Sequence, residues 1–173
     1  ASPNAEAHLF NWAVIKLDIG DFDAALALFE RSLDLGSRAA AQSLPSPMDW
    51  GGKARALQLL GRLDEADAAY RECLRLARLQ GIGRMTYFAR VGQASLVLQR
   101  GMPEQAHQEL EAADLERAVP VHEGSASAHL RRLTEADLSL ARGEPEPAIA
   151  LYDSIVEQSL PVTSTVLALI GRA

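Results

Sequence analysis

Four times in this chain a glycine is followed five residues later by an alanine, four residues after that by Phe, Tyr or Leu, and three residues further by another packing residue. The copies are Gly20, Ala25, Phe29, Ser32; Gly61, Ala66, Tyr70, Cys73; Gly101, Ala106, Leu110, Ala113; and Gly143, Ala148, Tyr152, Ile155. The glycines stand 41, 40 and 42 residues apart. Recurrence at a fixed period near 40 marks an array of supersecondary units, each burying its apolar face against its neighbours in sequence. The pattern constrains the architecture strongly and the ligand hardly at all.

Each glycine falls where one apolar-periodic segment stops and the next begins, the place for a residue that accepts left-handed backbone angles at a helix C-terminus. The unit is therefore helix, tight corner, helix. Ser2-Pro3 and Ser46-Pro47 supply an N-cap followed by a first-turn proline. Pro103 and Pro145 stand two residues after their glycines, where a helix has no N–H to lose, so they start helices. Gly36 is expected to end the second helix. The reading is one all-α domain over 1–173, an α-α superhelix of hairpins at about 3–36, 46–80, 83–116 and 124–159. An unpaired closing helix is expected at about 162–171, covering the open end of the array.

The repeated alanine has a steric reason. Two helices of a hairpin approach closely only where a side chain is small, and the larger residue one turn later fills the space beside that contact. Gly51, Gly52 and Gly92, inside the first helices, cost about 1 kcal/mol each relative to alanine. Tight packing of neighbouring hairpins is the expected compensation, and close approach of a ligand backbone the other.

With 173 residues, 48% of them hydrophobic, the chain can bury a sizeable core. A net charge of −6 argues against direct nucleic-acid binding, which draws its affinity from clustered Lys and Arg. Cys73 is the single cysteine. No intrachain disulfide can form, which fits a reducing compartment. There is no apolar run long enough for a bilayer and no leader-like opening, so the expectation is a cytoplasmic protein without membrane partners. Lys16 and Lys53 are the only lysines, against abundant arginine and alanine, a composition that fits a GC-rich bacterial genome.

The order glycine, alanine, aromatic, small residue resembles the second half of a tetratricopeptide repeat. Trp50, Ala54, Leu57, Gly61, Leu63, Ala66 and Tyr70 resemble nearly a whole repeat. Leu9, Arg90 and Arg132 take the place of Trp50 in the other units. These units exceed the usual 34 residues and are similar to the long repeats of maltose-activator-type regulators, kinesin light chains and polarity adaptors. The resemblance implies a stacked superhelix whose first helices line a concave groove for a peptide or protein partner. By register, the groove would take Asn11, Val14 and Asp18; Arg55, Gln58 and Leu59; Ser95, Leu98 and Gln99; and Thr134, Asp137 and Ala141. An Arg, an Asp and several hydrogen-bonding side chains could orient a peptide. The terminal-carboxylate clamp of some family members is absent, its places being held by Phe10, Val14, Gly52, Phe88 and Thr134.

Catalytic and metal chemistry find little support. His8, His107, His122 and His129 lack metal-ligand spacing, and Gly81-Ile82-Gly83 lacks the Lys and Ser/Thr of a phosphate loop. Cys73, in a packing register, reads as a buried thiol. Arg71, Arg75 and Arg78 form a stripe on an outward helix, either a docking face for an acidic surface or a solvated row paired with carboxylates. The expected function is a non-catalytic interaction scaffold without cofactor or metal. The other reading is the ligand-sensing domain of a multidomain bacterial transcription regulator or signalling protein. Val166, Leu167 and Ile170 on the closing helix would favour homo-oligomerisation.

Overall fold

The computed structural model describes residues 5–39, 44–115, 117, 120, 122 and 125–170, with side chains for all of these except 39 and 158–170. Eight helices and no strand are present among the described residues: α1 (Ala5–Asp18), α2 (Phe22–Ala39), α3 (Pro47–Leu59), α4 (Leu63–Leu79), α5 (Gly83–Gln99), α6 (Pro103–Leu115), α7 (Ala126–Ala141) and α8 (Pro145–Ile170). They pair as four hairpins, and among the described residues every helix touches only its own hairpin and the adjacent ones. Among the described residues the first helices α1, α3, α5 and α7 touch in succession, whereas α2, α4, α6 and α8 do not touch one another. The stack therefore curves with the first helices inside, which makes it a helical solenoid.

The corners follow from the glycines. Gly20, Gly61, Gly101 and Gly143 have φ of 80°, 75°, 78° and 76°. At the second corner the Gly61 amide donates to the Gln58 carbonyl at 3.0 Å and the Arg62 amide to Leu57 at 2.9 Å. This double bond pattern closes a helix C-terminus only with a left-handed residue between. The alanines that follow, Ala25, Ala66, Ala106 and Ala148, have no exposed surface.

Between hairpins a large side chain meets a bare backbone. A Cβ added to Gly52 would lie 2.2 Å from the Phe29 ring, and one on Gly92 2.3 Å from the Tyr70 ring. Packing between hairpins thus accounts for both glycines. In the third interface the same registers hold Leu110 and Thr134, both fully buried. Here a smaller knob goes with a larger seat. Around these contacts run two clusters, one centred on Phe29, Leu57 and Tyr70, the other on Tyr87, Val91, Leu110 and Leu130.

Two expected helix ends are corrected. Gly36 does not end α2, which continues to Ala39. Its φ is not positive, and beyond it the Ser37 hydroxyl donates to the Asp34 carbonyl at 2.8 Å and Arg38 pairs with Asp34, so the helix is sustained. Likewise α8 runs unbroken from Pro145 to Ile170, and 162–170 continue the fourth hairpin instead of forming a closing helix. Pro161 removes one amide donor but does not turn the chain, and no glycine stands there to make a corner. Residue 171 lies outside the described residues, as does the start signal at Ser2 and Pro3.

α3 starts at the predicted cap, Ser46 Oγ accepting from the Asp49 amide at 3.4 Å. The Asp49 carboxylate is itself buried, and its Oδ1 has no hydrogen-bond partner. Burial raises its pKa, opposed by the Ser32 and Ser46 hydroxyls and reinforced by Glu6. The folded state therefore prefers the protonated acid, and its ionisation costs stability at pH values above the raised pKa. Asp49→Asn is expected to be more stable than the parent near neutral pH. That advantage should shrink as pH falls through the raised pKa towards the unfolded value, as read by urea titrations at several pH values.

Candidate binding surface on the first helices

Two residues before each corner glycine stand Asp18, Leu59, Gln99 and Ala141, and all four are exposed. The first helices being inside the curve, this register forms a ladder along the concave face, one rung per hairpin. Asn11 and Asp137 are also exposed, while Val14, Arg55 and Leu98 are half-buried.

Three expected groove residues are buried: Gln58, Ser95 and Thr134. They cannot offer side chains to a partner, and each has a packing reason. Gln58 Nε2 donates to Ser95 Oγ at 2.8 Å, and Gln58 Oε1 accepts from the Tyr70 hydroxyl at 2.9 Å and from Arg55 Nη1 at 3.2 Å. Tyr70, the ring seated on Gly92, thus has its hydroxyl satisfied inside the interface. Burial raises the pKa of that hydroxyl further. Thr134 stands in the seat register of Gly52 and Gly92, and its hydroxyl donates to the Leu130 carbonyl at 2.8 Å. Asp137 accepts from the hydroxyl of Tyr152, whose pKa is pushed up to about 12, first by burial and then by this bond.

The structure adds two residues that the sequence left unassigned. His129 on α7 has a lowered pKa, first from partial burial and then from the positive charges of Arg55 and Arg132, with Asp18 opposing. Side chains from α1, α3 and α7 are thus within electrostatic reach across the curve. At neutral pH His129 is therefore uncharged. No spacing rule marks it, because the three helices are far apart in sequence and α7 packs against neither α1 nor α3.

Other candidate chemistry resolves into packing and pairing. Cys73 is buried, its thiol donating to the Pro47 carbonyl at 3.1 Å with a pKa pushed up to about 12 by burial. On the α4 stripe Arg71 pairs with Asp67, and Arg75 with Glu72 at 2.6 Å. A small cavity beside α5 is lined by Asp67, Arg90, Gln93 and Arg100, and Arg100 is already paired with Asp64 at 2.8 Å. Among the described residues no three His, Cys, Asp or Glu are grouped to hold a metal ion, and no helix is long and apolar enough to cross a membrane.

Residues 50–78, from Trp50 on α3 to Arg78 on α4, match the family model described as tetratricopeptide repeat. The second hairpin is thus similar to a tetratricopeptide repeat. The other three share its corner, its buried alanine and its neighbour-to-neighbour stacking, which supports a repeat protein of the tetratricopeptide type. No curated protein and no solved structure matches the chain. Tetratricopeptide repeats generally mediate protein–protein interaction and are typically not catalytic.

The network around Gln58 yields a test of structural against binding roles. Gln58→Ala leaves the buried Tyr70 and Ser95 hydroxyls without their shared partner, at a cost of about 1–3 kcal/mol. Chemical denaturation should show that loss, while the exposed ladder is left intact.

Proposed function

We propose that the chain is a non-catalytic scaffold that binds an acidic, extended segment of a protein partner along the concave ladder. The reading rests on Arg55 of α3, half-buried on an inward helix, whose positive charge is near enough to His129 of α7 to disfavour its protonated form. Guanidinium groups recognise carboxylates through charge-assisted hydrogen bonds. Asp18 at the α1 end opposes that charge and would orient the segment, while Leu59, Gln99 and Ala141 supply an apolar and amide-bearing floor. Of the groove set expected from the resemblance, Arg55, Gln99 and Asp137 remain available to a partner, Gln58, Ser95 and Thr134 support the surface from within, and the exposed Asn11 stands in the seat register of Gly52, Gly92 and Thr134.

The corner spacing of 40 to 42 residues supports the long-repeat variety of regulators and kinesin light chains. In that setting the same groove would serve as the sensing surface of a larger regulator, the bound segment changing the curvature of the stack. Both settings share the acidic ligand and the same residues.

Fluorescence anisotropy with a labelled Glu/Asp-rich peptide tests the reading. The parent should bind it in preference to a Lys-rich peptide of equal length, less tightly at high salt. Arg55→Ala should weaken binding about tenfold, since a charge-assisted bond contributes about 1.5–3 kcal/mol. Binding should tighten as pH falls through the lowered pKa of His129, because a further positive charge then joins the site. Equal affinity of parent and Arg55→Ala would exclude the groove.

A further inference from the structure

The corner register makes residues of different hairpins equivalent. Five residues before the corner stand Ile15, Ala56, Leu96 and Leu138. The last three are 0%, 1% and 4% exposed. On α3, α5 and α7 this face is covered by the preceding hairpin: Gly52 lies under Phe29 and Gly92 under Tyr70, while Lys53 pairs with Glu30, Arg100 with Asp64 and Arg131 with Asp114. On α1 the same face is uncovered among the described residues. Trp12, Ile15 and Ile19 are 62%, 55% and 65% exposed.

The occupant of this face can be argued from the internal interfaces. Each has a base on the seat helix facing an acid on the covering helix. In α1 the registers of Lys53 and Arg100 are filled by Trp12 and Ile19, so the occupant presents no carboxylate there. The end helix α8 of another copy fails that condition, since Asp153 and Glu146 hold the registers of Glu30 and Asp64. It also fails on size. Tyr152, in the knob register, would meet Asn11 where Phe29 and Tyr70 each require a glycine.

A second α1 meets both conditions. His8, Trp12, Ile15 and Ile19 follow the four-three-four spacing of a helix–helix seam, and none is a carboxylate. Such a seam is self-complementary and closes on itself about a two-fold axis. We infer that two copies of the chain pair through α1, with Trp12, Ile15 and Ile19 of each copy covering those of the other. The seam is one helix long, about 21 Å for 14 residues, so the pairing is expected to be reversible and to depend on concentration. It uses Trp12, Ile15 and Ile19 and none of the ladder residues Asp18, Leu59, Gln99 and Ala141.

Light scattering over a dilution series reads the pairing directly. The parent mass should rise with concentration from 18.7 kDa towards twice that value and no further. Ile15→Glu should hold it at the single-chain mass, with an unchanged circular dichroism spectrum because Ile15 is already exposed in one copy. Ile149→Glu, on the outer face of α8, should pair like the parent. In a Trp50→Phe background the Trp12 emission should move to shorter wavelength as pairs form. A parent that stays at the single-chain mass would overturn the inference and leave the face to a further hairpin or another protein. Pairing that survives Ile15→Glu, pairing lost in Ile149→Glu, or growth beyond two copies would each overturn it as well.

Discussion

A ring pressed onto bare helix backbone holds this array together. Phe29 on Gly52 and Tyr70 on Gly92 bring successive hairpins closer than any side chain at the seat would allow. Where the knob is Leu110 the seat is Thr134, so the space between hairpins is filled by complementary sizes and not by a fixed pair of residues. The corner glycines fold each hairpin back on itself, and the buried alanines let its two helices close. The knobs then fix the angle from one hairpin to the next. Because burial is shared only between neighbours, the curvature of the whole stack is the sum of these local seats.

That curvature produces the candidate site. Asp18, Arg55, His129 and Arg132 come from helices far apart in sequence, and the inward position of α1, α3 and α7 brings their charges within reach. A partner would meet a preformed surface whose supports are buried. Tyr70 joins the two levels: its ring sits on the next hairpin while its hydroxyl anchors Gln58, which in turn holds Arg55 and Ser95. The same ordering cost that folding has already met is then not charged to binding, which favours a rigid groove over a flexible one.

Much of this was legible in the chain itself, for reasons of period. A glycine every 40 to 42 residues located the corners, and the exposed ladder Asp18, Leu59, Gln99 and Ala141 follows from a fixed offset before each corner. Gln58, Ser95 and Thr134 misled because a polar residue on a helix in a solenoid has two buried faces available besides the open one. Alignment of Thr134 with Gly52 and Gly92 carried the signal that it is a seat. His129 and Arg132 carried none, since their relation to Arg55 depends on three-dimensional curvature. Gly36 shows the complementary error. A residue that permits a helix to stop does so only where the neighbouring side chains also favour a turn.

The seat itself is most directly measured by a double-mutant cycle at Phe29 and Gly52, using chemical denaturation of the parent, Gly52→Ala, Phe29→Leu and the combination. Intrinsic helix propensity alone would make Gly52→Ala stabilising by about 1 kcal/mol. Overpacking against the ring predicts instead a net loss of about 1–3 kcal/mol, largely recovered when Phe29→Leu is added. A Gly52→Ala variant more stable than the parent, with no coupling to Phe29, would contradict the account.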